Sequence, residues 1–250
     1  KFTSIGGPLW PTLDGEYCQV ITREGKRYTG TFLSESPAVH VHKDAKDKKR
    51  NPENMYVRID EQVKSKKDVE ALGIGVGDYI VFDPKTTVTP SGYIKSRFLD
   101  DKINVASVFG LVKALKEENR RPAVNLKLII STFEEVGHGS AYIPDVDELI
   151  AVDMGCIGED LSCTEEDGSI CAKDSSGPYD YDLVSLFKNL AVEHDINHAV
   201  DIYPMYGSDV SAARSGGNDF KGALIGPGVH ASHGMERTHY KAVEATIDLL

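Results

Sequence analysis

Val124-Asn125-Leu126-Lys127-Leu128-Ile129-Ile130-Ser131 runs directly into Thr132-Phe133-Glu134-Glu135-Val136-Gly137. A nearly continuous apolar run of this length reads as a strand buried on both faces, as in parallel sheets covered by helices. Two glutamates end it and a Gly-containing turn follows. Adjacent side chains of an extended segment point in different directions. One carboxylate is then placed to hold a cation while its neighbour faces a water. The alternative is a solvated loop, but acids ending a central strand need a partner, because burying a bare charge is costly.

The neighbourhood of this run repeats the theme. Leu149 to Asp153 is a second apolar strand closed by an acid, and Val200 to Tyr203 and Ala223 to Ile225 are short strands. Between them, Asp101 to Glu118 carries apolar residues at helical spacing (Ile103, Ala106, Val108, Leu111, Leu115). Tyr181 to His194 is a helix, and Glu236 to Leu250 is expected to close the chain as another. The fold class expected for residues 93–250 is therefore α/β, a mixed sheet flanked by helices. In open α/β sheets ligands gather beyond the carboxyl ends of strands, so acids far apart in sequence are able to converge there.

Residues 1–92 read differently. Tyr17 to Ile21 and Tyr28 to Leu33 flank a turn at Glu24-Gly25-Lys26, a hairpin signal. Met55 to Ile59 and Tyr79 to Phe82 are further strands, and Lys43 to Arg50 is an exposed charged loop. The expectation is a small β-barrel or sandwich domain, the barrel being preferred. Trp10 belongs to a core or an interface.

Composition narrows the partners. The chain has 250 residues, 40% apolar and 27% charged, enough for one large or two modest domains with a real core. Its formal net charge of -11 argues against a nucleic-acid partner and against an anionic membrane surface. No apolar run reaches the length of a membrane span. Cys18, Cys156, Cys163 and Cys171 form no C-x-x-C pair, and a reduced, cytoplasmic set of thiols is the simplest reading. The chain starts without Met and stops within a helical pattern, so a longer natural protein is expected.

Four segments carry the candidate chemistry. Asp100-Asp101 precede a helix, where an N-cap and a first-turn acid would also be at home. Glu134-Glu135 and Asp153 end strands. His230 and His233 lie in a Gly-flanked turn before Glu236. Asp, Glu, Asp and His together suit zinc, cobalt or manganese. Gly207-Ser208-Asp209 carries the signal of a helix N-cap. His138 and Tyr179 are further candidates for a pocket wall.

Asp100-Asp101, Glu134-Glu135-Val136-Gly137, Asp153, Gly207-Ser208-Asp209 and His233-Gly234-Met235-Glu236 occur in the order seen in the tetrahedral and glutamyl aminopeptidases. The chain resembles that family along essentially its whole length. Its opening, Ile5-Gly6-Gly7-Pro8-Leu9-Trp10, is similar to the start of the family's β-domain, which is inserted in the catalytic domain and serves dimerisation and assembly. The resemblance implies two divalent metal ions per subunit, zinc or cobalt foremost and manganese next. Asp100 would bridge them, Glu135, Asp153 and His233 would complete the ligands, and Asp101 and Asp209 would support the site or the substrate. Glu134 would be the general base, taking a proton from a water between the metals. The substrates implied are peptides with a free N-terminus, in a cytoplasmic tetrahedral homo-dodecamer.

The chain departs from the family pattern in two places. The family's early His-x-Asp, whose His is a ligand, has no counterpart. The N-terminal part of the catalytic domain is therefore expected to be missing, and this chain alone is expected to be inactive or weakly metallated. The family's last histidine stands four residues before its Glu, where Ser232 stands here; His233 is preferred, with His230 as the competitor. Other readings are a related dinuclear deacylase or carboxypeptidase, and a non-catalytic assembly subunit. A glycosidase would need opposed carboxylates and no metal.

Overall fold

β1 (Tyr17–Ile21) and β2 (Arg27–Ser34) pair antiparallel across the Glu24-Gly25-Lys26 turn in the computed structural model, which describes residues 2–250. β3 (Met55–Ile59) extends the sheet beside β2. After the short helix α1 (Lys66–Ala71), β4 (Tyr79–Phe82) pairs with β1. The order is β3-β2-β1-β4, an open antiparallel sheet whose edges are β3 and β4, and not a closed barrel among the described residues. Alternation along β1 sends Cys18 and Val20 inward. Leu13, Cys18, Phe32 and Met55 form the core under the sheet, and Trp10 packs on it. In the charged stretch 43–50, Arg50 is tied down, with its guanidinium 2.9 Å from Asp14 and donating to the carbonyls of Ala45 and Lys48. This first compact unit ends at Lys85, and the second spans Thr86–Leu250.

The second unit begins with the hairpin β5 (Thr87–Val88) and β6 (Tyr93–Ser96), part of which lies before residue 93. α2 (Leu99–Glu117) follows, and its regular turns start only after Asp100 and Asp101, which have non-helical backbones. β7 (Glu148–Val152) and β8 (Gly155–Cys156) come next, then β9 (Gly168–Asp174), β10 (Gly177–Pro178), α3 (Tyr181–Glu193) and β11 (His198–Ile202). The chain ends with α4 (Asp209–Ser215), β12 (Lys221–Val229), β13 (Glu236–His239) and α5 (Tyr240–Leu249).

The main sheet is mixed, as expected. β12 is parallel to β7 and β8 and antiparallel to β9, and β11 is parallel to β9. β12 is buried along Gly222 to Val229, because helices cover both faces. Ala223 and Ile225 meet Leu183, Phe187 and Leu249 on the α3/α5 side. Leu224 meets Tyr203 and Val210 on the α4 side. A second, three-stranded sheet has the order β13-β6-β5.

Two sequence expectations fail here. Residues 124–131 form no strand: nothing pairs with them among the described residues, and Val124, Leu126, Leu128, Ile129 and Ile130 are exposed. Hydrophobic pattern supplies a face for burial but no hydrogen-bonding neighbour, and without one an extended run stays open. Glu236 to His239 begin no helix either. Residues 236–239 pair antiparallel with β6, and the closing helix starts at Tyr240, with the His239 side chain accepting from Lys241 N–H as its cap.

Candidate metal centre

Every element that carries a candidate ligand lies in the second unit. The four-pair antiparallel register of β6 with β13 sets Ser96 opposite Glu236. The segments leading away from this pairing, 97–100 and 230–235, therefore meet although they are more than a hundred residues apart. Glu236, only 2% exposed, fastens them. Its carboxylate accepts from Asp100 N–H at 3.0 Å and from His233 N–H at 2.8 Å. Burial pushes the Glu236 carboxyl up, against the backbone donors that favour its charge. Phe98 and His233 both take left-handed backbone, with φ of 63° each. That conformation is uncommon in non-glycine residues and is held where surroundings over-determine it, as Glu236 does here.

Asp153 arrives from the other side. β7 stops pairing at Val152, β8 resumes at Gly155, and Asp153-Met154 stand in the gap along β12. Asp153 N–H donates to Ile225 O at 3.0 Å, and its Oδ1 accepts from Met154 N–H at 2.6 Å. β12 passes so close that a Cβ at Gly226 would fall on the Asp153 carbonyl. Tyr206 completes the mount: its hydroxyl donates to Met154 O at 3.0 Å and bears on the Asp153 carboxylate.

Glu134 and Glu135 lie on a single 3-10 turn, Glu134–Val136. Gly139 returns against it so tightly that a Cβ there would lie 2.7 Å from both Glu134 N and Asp209 Oδ1. Ser131 Oγ donates to Asp209 Oδ2 at 2.7 Å, while Asp209 Oδ1 is buried with no hydrogen-bond partner among the described residues. Asp209 thus ties α4 to the glutamate turn and stands behind the cavity wall. Ser208 is the N-cap of α4, within a capping box. Phe133 and His138 stack 5.3 Å apart.

These pieces line an open cavity of about 630 Å³, bordered by Asp100, Glu134, Glu135, Asp153 and His233. Oxygens of Asp100, Asp101 and Asp153 lie within 4.8 Å of one another, so Asp101, read as support, is also within ligand reach. Asn104 Nδ2 donates to Asp101 Oδ1 at 2.5 Å. His233 Nε2 stands 3.6 Å from Asp100 Oδ2. His230 instead forms a backbone bridge with Arg237, and its side chain does not line the cavity. Neither His138 nor Tyr179 lines it; Tyr179 is buried, its hydroxyl bonded to Asp174 and Ser208.

The electrostatics are those of crowded acids. Burial and then Glu135 push the Asp100 carboxyl up to about 7, against the nearby His233. Burial and then Glu135 and Asp209 push Glu134 up to about 7. Asp101 and Asp153 are raised well above the usual range, by burial first and by neighbouring carboxylates next. Among the described residues, no Lys or Arg lines the cavity. Carboxylates this close, with an imidazole and no protein cation among them, suit one or more divalent cations.

The M42 glutamyl aminopeptidase family model matches residues 1–249. The chain belongs to this family. M42 peptidases are metal-dependent hydrolases that act as aminopeptidases. The chain is 48% identical over 252 residues to the putative aminopeptidase YhfE of Bacillus subtilis (strain 168), covering 100% of this chain and 73% of that protein. Its fold is similar to the TET aminopeptidase of Thaumarchaeota archaeon SCGC AB-539-E09, with a TM-score of 0.82 and 18% identity over 99% of this chain and 71% of that one. It is also similar to Pyrococcus horikoshii TET1 peptidase, which assembles into a tetrahedron or a large octahedral shell. There the TM-score is 0.76 and the identity 22%, over 98% of this chain and 73% of that one.

Sequence reasoning passed over two residues of this M42 chain. Tyr206 gave no signal, because a tyrosine before a glycine turn has no distinctive spacing. Glu236 was visible as the end of the histidine segment, but its function as a double backbone acceptor depends on the β6–β13 register. All four cysteines are free thiols. No helix of the described residues is long and apolar enough to cross a membrane.

Proposed function

We propose that the protein is a dinuclear metallo-aminopeptidase in which Asp100, Glu135, Asp153 and His233 would hold two divalent ions. The supporting observation is a single cavity that gathers these four side chains and Glu134 in an M42 chain. Bound there, zinc, cobalt or manganese would polarise the scissile carbonyl, lower the pKa of water and anchor the substrate's free amine.

The chain's own groups do the rest. Glu134 takes a proton from the attacking water and passes it to the leaving amine as the peptide C–N bond breaks. A carboxyl raised toward neutrality is suited to both steps. Met154 N–H fixes the Asp153 carboxylate, the Tyr206 hydroxyl holds the Met154 carbonyl behind it, and Glu236 fixes Asp100 against His233. Asp101 and Asp209 support these groups.

Self-association into a homo-oligomer, a tetrahedral dodecamer in form, is part of this reading. It is supported by the assemblies of the Pyrococcus horikoshii relative and by the exposed Val39, Val41 and Val76 of the β-rich unit. The four free thiols suit the reducing cytoplasm.

The test is a panel of aminoacyl chromogenic substrates run on the protein at its full natural length, before chelation, after it, and after each metal is returned. Activity lost on chelation and restored by metal is expected. Activity indifferent to chelation overturns the reading. Light scattering on the same sample tests the assembly.

A further inference from the structure

Segment 203–208 belongs to no helix or strand, yet both flanks of the site depend on what it carries. Tyr206 holds the Met154 carbonyl behind Asp153. Ser208 caps α4, whose first residue, Asp209, is tied through Ser131 to the glutamate turn. The segment is gripped from the turn that joins β9 to β10, and among the described residues none of that turn borders the cavity. Ser175 N–H and Ser175 Oγ both donate to Tyr206 O, at 3.1 and 2.5 Å. Asp174, completely buried, anchors the turn. Its Oδ1 accepts from Ser176 N–H at 2.8 Å and from Ser176 Oγ at 2.6 Å, and its Oδ2 accepts from the Tyr179 hydroxyl at 2.7 Å. Three donors make a carboxylate tolerable at this depth. Burial pushes the Tyr179 phenol up, so it keeps its proton. That proton goes to Asp174, and the phenol oxygen therefore accepts from Ser208 Oγ, 2.8 Å away. Ser208 Oγ in turn accepts from Val210 N–H at 3.2 Å.

We propose that Asp174, Ser175 and Tyr179 are positioning residues of the metal centre, acting through segment 203–208 on both of its flanks. The proposal rests on the metallo-aminopeptidase reading above. A helix cap needs only an acceptor, and Ser208 meets that need with its bond to Val210. The bond to Tyr179 goes further: it commits the serine proton and so fixes the direction of the hydroxyl. Asp174 sets the direction of the whole chain, because a carboxylate only accepts. Each hydrogen bond of such a buried chain polarises the next. Tyr206 is fixed at both ends, its carbonyl by Ser175 and its hydroxyl on Met154 O. One buried acid outside the cavity thereby governs where Asp153 and the Glu134-Glu135 turn stand.

The experiment compares the wild type with Tyr179→Phe and Ser175→Ala, each at full natural length and loaded with cobalt, whose visible absorption reports ligand geometry without substrate. Tyr179→Phe keeps the ring and removes the link between Asp174 and Ser208. It is expected to shift the absorption and to lower kcat about tenfold, with KM within about twofold. Ser175→Ala, at an exposed position, removes one of the two donors on Tyr206 O. It is expected to weaken cobalt affinity about threefold in competition with a chromogenic chelator, as for the loss of one hydrogen bond. Variants that melt at lower temperature but keep the wild-type spectrum, kcat and affinity overturn the proposal, since the network then serves stability alone. If Tyr179→Phe does not fold, Ser175→Ala decides: unchanged affinity overturns the proposal. A wild type that binds cobalt but hydrolyses no aminoacyl amide overturns the peptidase reading, and spectrum and affinity still decide the positioning. A wild type that binds no cobalt overturns both.

Discussion

Asp153 and the Glu134-Glu135 pair face the same cavity from mounts of opposite quality. Asp153 is 8% exposed, follows a paired strand, and is fixed by Ile225, Met154 and Tyr206. The glutamates follow 124–131, an apolar run of the same character that pairs with nothing among the described residues. They are positioned by a few local contacts: the close return of Gly139, the Ser131–Asp209 hydrogen bond and the Phe133–His138 stack. The contrast separates two ways of placing a carboxylate. A sheet fixes a group through many cooperative backbone bonds, whereas a turn depends on side chains that single substitutions remove.

The largest effect should come from exchanging charge on each mount. Glu134→Gln is expected to lower kcat by roughly 10²–10⁴ with metal content unchanged, measured by steady-state kinetics and elemental analysis. Asp153→Asn is expected to lose metal. Loss of metal from Glu134→Gln would make Glu134 a ligand and erase the division of labour between the two sides.

Next comes the buried support of Asp153. Tyr206→Phe removes one hydroxyl and should weaken metal affinity by about tenfold, the lower end for a residue that orients a ligand. Competition with a chromogenic chelator reads it. Unaltered affinity would mean that the backbone alone holds Asp153.

A smaller effect is expected from pH on metal-stripped protein. Asp100 and Glu134 are raised to about 7 from ordinary values of 3.8 and 4.5. Between those values the folded state binds more protons than the unfolded one, so stability should rise as pH falls from 8 to 5. Divalent metal should restore stability at pH 8, since it binds the folded state. Thermal melts that instead show stability rising with pH over this range would contradict the crowding of these acids.

The smallest change is Ser131→Ala, costing about 0.5–1.5 kcal/mol for one hydrogen bond. Its signature should be local. Amide exchange around residues 131–139 is expected to quicken while β7 stays protected. Equal protection of 124–131 and β7 in the unsubstituted chain would abolish the comparison.

Much of this was legible in the residues. The order of the acids, the α/β character after the β-rich start, and the strands ending at Asp153 and passing through Ala223 to Ile225 follow from periodicity and apolar runs, which local chemistry sets. The structure lines the cavity with His233 and not with His230. The failures share a cause. Val124 to Ser131 has the composition of a buried strand, but burial needs a neighbour that composition does not name. Glu236 to His239 looked helical until β6 claimed their backbone hydrogen bonds.

By itself, then, the sequence determined which groups this protein brings together: five carboxylates in a recognisable order and an imidazole. Only the tertiary structure decided how they are held. Glu236 reaches both Asp100 and His233 because β6 and β13 pair in one register. Asp153 is set in a break of the sheet because the pairings of β7 and β8 along β12 are interrupted there. Such placements depend on hydrogen bonds between segments distant in the chain, and no local pattern encodes which distant segment will answer.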